Sequence, residues 1–271
     1  ALHYRKTEDR RVAILAVDPS SPFTGGAVLG DRVRMRDLSG DPNVFIRSMA
    51  TRGSLGGLAQ ATANMVQIFD AAGFEIIIIE TVGAGQSEVD IARLAHTTLV
   101  VEAPGLGDDI QAIKAGILEI ADILVVNKAD RPGVENTEKA LKSMLELAHP
   151  AERVFKHHGT YMSVSVPKDH TSANLWIPPI QRTVATEGTG IPELAAAIAR
   201  HTAHLRQSGD WFLRERIRLE VELEALIRES LLNRFREDVP QEKYEEVLES
   251  VIQRSVSPWE AAKILLNGRL K

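Results

Sequence analysis

The chain has 271 residues, of which 44% are hydrophobic and 25% charged, and it contains no cysteine. This length allows one large domain with a helical addition, and the lack of thiols excludes disulfides, thiolate metal sites and a cysteine nucleophile. A net charge of -5 gives no basis for a nucleic-acid partner, and no apolar run reaches the length of a membrane-spanning helix. We therefore expect a cytoplasmic protein that binds neither nucleic acid nor membranes.

Short apolar runs alternate with helical patterns along most of the chain. After a polar helix end at 1–11, the predicted strands are 12–17, 44–48, 76–80, 98–101, 123–126 and one near 182–184. The predicted helices between them are 55–72, 87–95, 110–120 and 191–205, while 149–180 is predicted to be irregular. Few hairpin signals interrupt this alternation, which is typical of a doubly wound, mostly parallel sheet with helices on both faces.

Acidic side chains follow two of these strands and lie in one glycine-rich loop. Glu80 follows the isoleucine run 76–79, which we interpret as a central strand covered on both faces. Asp18 follows the first strand, and Asp31 lies in the loop. Ligands bind at the carboxyl ends of parallel strands, where carboxylates can hold a metal ion. A glycine there, such as Gly83, can offer its backbone N–H to a phosphate.

The sharpest motif is an Asn-Lys-x-Asp tetrapeptide directly after the apolar strand 123–126. It consists of Asn127, Lys128 and Asp130, and it is typical of the element that reads guanine in GTP-binding proteins. The Asp carboxylate accepts N–H bonds from N1 and N2 of guanine, which adenine cannot supply, while the Lys stem covers the face of the base. The motif therefore predicts guanine specificity.

A second loop is predicted to assist this motif. Ala185, Thr186 and Glu187 follow the last predicted strand, at the position where GTP-binding domains place their final base-contacting loop. The histidines suggest no comparable site. His157 and His158 are adjacent, but no second cluster of ligands supports them. We expect this pair, and also His170, His201 and His204, in solvated segments.

Near residue 208 the alternation of strands and helices gives way to helical patterns alone. Helices are predicted at 211–235 and 241–254, and a third begins at Ser257 with a serine cap, a proline at the first helical position and a glutamate at the third. Short amphipathic helices need a partner surface to be stable. We interpret 1–207 as the nucleotide-binding domain and 208–271 as a dimerisation arm; packing of these helices onto the sheet is the alternative.

Taken together, the motifs resemble one family. They are the segments 17–21, 25–35, 80–88, 104–114 and 127–130. In this order they are similar to the MeaB/ArgK-type metallochaperones, P-loop GTPases that accompany adenosylcobalamin-dependent methylmalonyl-CoA mutase. The resemblance extends over nearly the whole chain, including the helical arm.

The resemblance implies a role for each candidate residue. It implies a Mg²⁺ site from Asp18, Asp31 and Glu80, and a catalytic and switch set from Asp31, Glu80 and Gly83. The loop Gly105–Lys114 is implied to be a further switch that communicates with the mutase. The implied GTP- or GDP-binding residues are Asn127, Lys128, Asp130, Ala185, Thr186 and Glu187.

The implied activity is that of a GTP-hydrolysing chaperone. It would gate cobalamin delivery to an adenosylcobalamin-dependent acyl-CoA mutase, or protect the mutase, as a homodimer joined by its C-terminal helices. An amino-acid transport kinase and a nucleotide-sensing module without turnover are alternatives. A nickel-inserting GTPase would be expected to carry a tract rich in His or Cys, and this sequence has none.

One departure from the family pattern affects what these residues can do alone. The phosphate-binding motif Gly-x-x-x-x-Gly-Lys-Ser/Thr occurs nowhere in the 271 residues. We therefore expect this chain by itself to bind GTP weakly, to hydrolyse it no faster than background and to be poorly soluble. We also expect exposed apolar strand edges at Val12–Val17 and at the isoleucines.

Overall fold

The fold is taken from a computed structural model of the chain. It describes residues 1–18, 35–38, 40–50, 55–81, 91–105, 120–148, 153–157, 160–164 and 176–266. The chain divides into two compact units, Ala1–Arg218 and Leu219–Lys271. The expected residues Asp31 and Gly83, and all but the first residue of the expected switch loop Gly105–Lys114, lie outside the described residues.

The first unit alternates strands with helices. Its strands are β1 (Val12–Asp18), β2 (Val44–Ala50), β3 (Ile76–Thr81), β4 (Leu99–Glu102), β5 (Ile123–Asn127), β6 (Arg153–His157), β7 (Thr160–Val164) and β8 (Ile180–Thr183). Its helices are α1 (Leu2–Glu8), α2 (Leu55–Ala71), α3 (Val134–Ala148) and α4 (Ile191–Ser208), followed by the start of α5 (Asp210–Asp238).

Two three-stranded sheets are parallel throughout, with the strand orders β2-β1-β3 and β4-β5-β8. This confirms the predicted parallel α/β class. The third sheet is an antiparallel hairpin of β6 and β7, in a segment that the sequence analysis predicted to be irregular. That prediction was wrong, and the composition of the segment explains why. Strand β6 contains Val154 and Phe155, β7 contains Thr160 and Tyr161, and β-branched and aromatic residues favour strands.

Strand β5 lies at the centre of the second sheet and is covered on both faces. Leu124 and Val126 pack in a cluster with Leu141 of α3, whereas Ile123 and Val125 pack with Ala197 of α4. All four strand residues are at most 2% exposed. Because successive side chains of a strand point to opposite faces, an uninterrupted apolar run is what a strand between two helices requires.

In the first sheet the central strand is β1, and this corrects two expectations. Val12–Val17 are at most 5% exposed, because β2 and β3 pair with the two edges of β1. The expected exposed edge at β1 was therefore wrong. Strand β3 was interpreted as central, but among the described strands it pairs with β1 alone, and its isoleucines are half-buried.

The second unit consists of the rest of α5, then α6 (Gln241–Ile252) and α7 (Pro258–Leu266). The predicted serine cap of α7 is confirmed: Glu260 N donates to Ser257 Oγ at 3.2 Å, and Ser257 N donates back to Glu260 Oε2 at 3.1 Å. Large apolar side chains remain exposed, among them Leu231 at 61% and Trp259 at 71%. No helix within the described residues is long and apolar enough to cross a membrane.

Candidate functional site

The Asn-Lys-x-Asp motif begins at the last residue of β5 and continues into a tight turn. Asn127 is half-buried, while Lys128 and Asp130 are exposed beyond the strand end. Lys128 has φ of 57°, a left-handed backbone that costs a side-chain-bearing residue roughly 1–2 kcal/mol. Two backbone bonds hold this turn: Ala129 N donates to Thr183 O and Arg131 N donates to Lys128 O, both at 3.0 Å. The buried strand thus positions a strained, hydrogen-bonded turn.

The neighbouring strand β8 supplies the facing wall. After Thr183 the chain forms a small loop in which Val184 N donates to Thr189 O at 2.9 Å. Glu187 N and Gly188 N both donate to Val184 O at 3.0 Å, which closes the turn. Thr183 and Val184 are buried, and residues 185–189 are exposed. The base of the loop is therefore fixed, and its tip reaches solvent.

Gly190 is required for this loop to pass close to β8. Its φ is 75°, and a Cβ built there would lie 2.0 Å from the carbonyl oxygen of Arg182. No real Cβ tolerates such a distance to backbone, so any side chain would push the loop away from the strand. Gly188 has a similar φ of 81° but has no atom within 4 Å of a built Cβ. A side chain at Gly188 would therefore meet only the free-energy cost of a left-handed backbone, whereas a side chain at Gly190 would also clash with the backbone of β8.

We expect Gly190→Ala to destabilise the protein far more than Gly188→Ala. Gly188→Ala should lose roughly 1–2 kcal/mol of unfolding free energy, the cost of a left-handed residue that bears a Cβ. Gly190→Ala adds a backbone clash to that cost. Urea unfolding of both variants measures the difference. Equal losses of unfolding free energy in the two variants would show that the close approach of Gly190 to Arg182 does not add to the cost of a side chain there.

The two turns enclose a cavity of about 150 Å³. Its lining residues are Asn127, Lys128, Asp130, Arg131, Val184, Ala185 and Thr186. Pockets that hold whole drug-sized ligands measure roughly 300–1,000 Å³, so this space suits one ring system rather than an entire nucleotide. The lining offers the carboxylate of Asp130, the amide of Asn127 and the cationic side chains of Lys128 and Arg131. Apolar surface comes from the residues of the facing loop. These groups can recognise a flat, polar heterocycle by its hydrogen-bonding edge.

The amide of Asn127 connects the two walls. Its Oδ1 accepts hydrogen bonds from Thr183 Oγ1 and from Ala185 N, both at 3.1 Å. The partner residues belong to β8 and to the loop that follows it. The motif on β5 and the facing loop are therefore held to each other by one side chain as well as by the backbone bond from Ala129.

The structure brings five of the six residues expected to bind nucleotide to this cavity. Glu187 is the exception: it is exposed at the loop tip and does not line the cavity. Thr183, Val184 and Arg131 were missed by the sequence analysis. Arg131 could have been found by extending the motif by one residue. Thr183 shows no such signal, because its contact with Asn127 joins residues 56 positions apart.

The expected metal ligands are placed only in part. Glu80 is exposed at the end of β3, and in the strand register it pairs with Ala16, two residues before Asp18 at the end of β1. The two acids therefore occupy the carboxyl ends of neighbouring parallel strands. Within the described residues, no group of three or more His, Cys, Asp or Glu could hold a metal ion.

A different polar cluster lies at the opposite, amino end of β5. Asp122, just before the strand, accepts a bidentate pair of bonds from Arg214 at 2.7 and 2.9 Å and a bond from Thr98 N at 2.8 Å. Trp176 Nε1 donates to the Asp122 carbonyl oxygen at 2.8 Å. Burial raises the pKa of the Asp122 carboxyl, but the hydrogen bonds from Arg214 and Thr98, together with the nearby His201 ring, outweigh burial and lower the pKa to about 2.

His201 belongs to this cluster, which corrects the expectation that it is solvated. It lies in α4 with no exposed surface, and its Nδ1 is 2.9 Å from the hydroxyl of Thr97. Its Nε2 is 3.3 Å from Asp122 Oδ1, although not aligned for a hydrogen bond. His157 likewise lies in a strand, β6, rather than in a loop. The cluster connects the amino end of β5 to helices α4 and α5, whereas the cavity lies at the carboxyl end of β5.

Comparison with known proteins gives one consistent family. The sequence pattern of the family described as "Methylmalonyl Co-A mutase-associated GTPase MeaB" matches residues 2–240. A GTPase of Pyrococcus abyssi is 43% identical over 255 residues, which are 94% of this chain and 73% of that protein. GTPase ArgK of Escherichia coli is 36% identical over 202 residues, 74% of this chain and 56% of that protein.

A mammalian relative and a solved structure agree with this grouping. The mitochondrial "Methylmalonic aciduria type A homolog" of Mus musculus is 32% identical over 96% of this chain and 59% of its own length. A crystal structure of an "LAO/AO transport system kinase" is 25% identical, with a TM-score of 0.59 over 97% of this chain and 72% of that one. Its fold is that of a P-loop GTPase, as the sequence analysis expected. The chain belongs to the MeaB family of methylmalonyl-CoA mutase-associated GTPases.

Proposed function

We propose that the protein containing this chain binds guanine nucleotides in the cavity between the 127–131 turn and the 184–186 loop and hydrolyses GTP. The observation that carries this proposal is the convergence of Asn127, Lys128 and Asp130 with Ala185 and Thr186 on one base-sized cavity. A carboxylate at Asp130 accepts from N1–H and N2–H of guanine, whereas adenine would leave it facing an acceptor. Relatives named as GTPases support the same activity.

The acids at the strand ends suit a magnesium ion bound with the phosphates. Mg²⁺ prefers oxygen ligands and usually takes one or two carboxylates in addition to phosphate oxygens and waters. Asp18 and Glu80, at neighbouring strand ends, are the described residues that would hold it; Asp31 is the third expected ligand. When bound, the ion would neutralise phosphate charge. The chain itself would orient the nucleotide, since phosphoryl transfer to water depends on positioning and electrostatics rather than on a covalent nucleophile.

We further propose that the protein serves an adenosylcobalamin-dependent mutase of the methylmalonyl-CoA type, by gating cobalamin delivery or protecting the enzyme. The family description names that mutase, and the mouse relative is named for methylmalonic aciduria. We assign 208–271 to homodimerisation. The exposed apolar side chains of α5–α7, such as Leu223 at 59% and Ile252 at 65%, support a partner surface there. A cytoplasmic location remains a prediction.

The name of the solved relative makes a transport-associated kinase the second candidate. A kinase would transfer phosphate to a bound acceptor and usually uses ATP. Asp130 in the cavity favours guanine over adenine, and the GTPase interpretation accounts for it without a second substrate. A nucleotide sensor without turnover would bind GDP and GTP alike and release no phosphate.

Nucleotide selectivity and turnover of the full-length gene product test the proposal. GDP should bind at least about a hundredfold more tightly than ADP, because ADP lacks two charge-assisted bonds of about 1.5–3 kcal/mol each. GTP hydrolysis should rise when the mutase is added. Equal affinity for GDP and ADP would contradict guanine recognition, and phosphate transfer to an amino-acid substrate would establish the kinase instead.

The 271-residue chain alone should behave differently from a protein that also contains a phosphate-binding loop. Without that motif we expect weak GTP binding and hydrolysis no faster than background, because no loop N–H groups or lysine hold the β- and γ-phosphates. Calorimetry with GTP and Mg²⁺ measures this. Micromolar binding by these residues alone would show that other groups hold the phosphates.

A further inference from the structure

His96, in the segment just before β4, contacts the start of α5 through both its side chain and its backbone. Its ring lies parallel to the indole of Trp211, with ring centroids 3.8 Å apart and planes 7° apart. Its Nε2 lies 2.5 Å from Oε1 of Glu215, one turn further along α5. Its carbonyl oxygen accepts a bond from Arg214 Nη1 at 2.8 Å. His96 therefore holds three residues in the first two turns of that helix.

The acceptor for the His96 ring is an ionised carboxylate. Burial raises the pKa of the Glu215 carboxyl, but Arg218 and His96 outweigh burial and lower the pKa below its ordinary value. Arg218 Nη2 donates to Oε2 of this carboxylate at 2.8 Å, which leaves Oε1 for His96. A carboxylate has enough lone pairs on its two oxygens to accept both donors at once.

Three arginines contribute positive charge near the His96 ring. Arg218 shares the Glu215 carboxylate, and Arg214 is paired with Asp122 at 2.7 and 2.9 Å. Arg206 of α4 lies over the Trp211 ring, 5.0 Å from its centroid. The two arginines of α5 are each balanced by a carboxylate, so the direct contact with Glu215 dominates the electrostatics of the imidazole.

The strength of this contact depends on the protonation of the imidazole. Histidine is the side chain that changes charge between about pH 5 and 8. When both ring nitrogens carry protons, Nε2 donates a charge-assisted bond to Glu215, and the positive ring is attracted by the indole of Trp211. When the ring is neutral, Nε2 either donates a weaker bond or turns a lone pair towards the carboxylate. The contact is therefore stronger at low pH and weakens as the pH rises.

We propose that His96 is a proton-dependent latch: its charged ring holds the first two turns of α5 against the segment before β4, and loss of the proton loosens this attachment. The neighbouring Arg214–Asp122 pair keeps its charges throughout this range, because the pKa of Asp122 is about 2. Helix α5 thus stays attached in both states and is held more firmly in one. Because α5 continues past Arg218 into the second unit, the latch acts on the helix that connects the two units.

Hydrogen exchange of the backbone amides of 211–218 in the full-length gene product tests the latch. Protection at about pH 6 is compared with protection at about pH 8, after correction for the intrinsic pH dependence of exchange, because protection reports local opening. Glu215→Gln keeps the shape of the side chain and removes its charge, and His96→Gln keeps a donor that never becomes charged. His3→Gln is the matched control, since His3 of α1 also contacts an aromatic ring, that of Tyr4.

The wild type should protect these amides several-fold, up to about tenfold, more at the lower pH. This is the difference expected between a charge-assisted and a neutral hydrogen bond at a partly exposed site. The ratio should be close to one in both His96→Gln and Glu215→Gln, and His3→Gln should keep the ratio of the wild type. The amides of β5 are the internal reference, and their ratio should be unaffected by His96→Gln.

Three results would overturn the proposal. A wild-type ratio near one would do so without any variant, and therefore even if the substituted proteins fail to fold. A ratio that persists in His96→Gln would assign the pH dependence to another group. An equal change at the amides of β5 would show that the proton affects the stability of the whole fold rather than the attachment of α5.

Discussion

Replacing Asp130 with asparagine is expected to weaken GTP binding by more than tenfold in the full-length gene product. The carboxylate lies at the cavity between the two turns and would accept two charge-assisted bonds from guanine. Each such bond contributes about 1.5–3 kcal/mol, and asparagine replaces one acceptor oxygen with a donor that faces the N–H groups of the base. Binding of xanthosine triphosphate, which carries an acceptor at that edge, should improve relative to GTP. Calorimetry with both nucleotides measures the change.

A matched control separates this effect from the loss of one negative charge. Glu135 lies near the start of α3 with its side chain 72% exposed, and it does not line the cavity. Glu135→Gln should leave the affinities for GTP and xanthosine triphosphate unchanged. An unchanged GTP affinity in Asp130→Asn would remove this residue from the binding site.

The second large effect is expected at Asp122, and it concerns stability. The folded-state pKa of this carboxyl is about 2, below its ordinary value of 3.8. The ionised form is therefore favoured by folding, and the contribution is fully present above about pH 4. It is lost as the pH falls from about 4 towards 2. The pKa difference corresponds to roughly 2–3 kcal/mol. Asp122→Asn should lose about this much at pH 7.

Urea unfolding at several pH values measures this contribution. The difference in unfolding free energy between wild type and Asp122→Asn should shrink as the pH is lowered through 4 to 2. Asp41 is the matched comparison, because Arg5 likewise lowers the pKa of its carboxyl, but at the surface. Asp41→Asn should cost less, and its cost should fall with added salt. A pH-independent difference for Asp122→Asn would show that its ionisation does not contribute.

Much of the fold followed from local sequence patterns. The uninterrupted apolar run of β5 predicted a strand between helices, and the polar tetrapeptide after it marked the strand end. Both are properties of neighbouring residues. The order of strands was harder, because pairing is decided by distant segments. The isoleucines of β3 form an uninterrupted apolar run that suggested a central strand, yet among the described strands the central position in that sheet belongs to β1.

The polar residues whose positions were predicted wrongly or not at all fall into two groups. His201 could have been placed correctly, because Ala197, His201 and Leu205 recur every four residues and form the buried stripe of α4. The residue type favours a solvated position, whereas this spacing favours a buried one. Its partner Asp122, like Thr183 beside Asn127, could not have been identified. Those contacts join residues brought together only by the packing of strands and helices.

The two walls of the base cavity should differ in hydrogen exchange. The amides of β5 are buried between β4, β8, α3 and α4, so their exchange requires opening of the whole sheet. The 185–189 tip is exposed and is held by a few turn bonds, so its amides can exchange through local opening. A ligand enclosed by both walls would slow exchange mainly at the loop. The rate at which that loop opens would then limit how fast a base can leave.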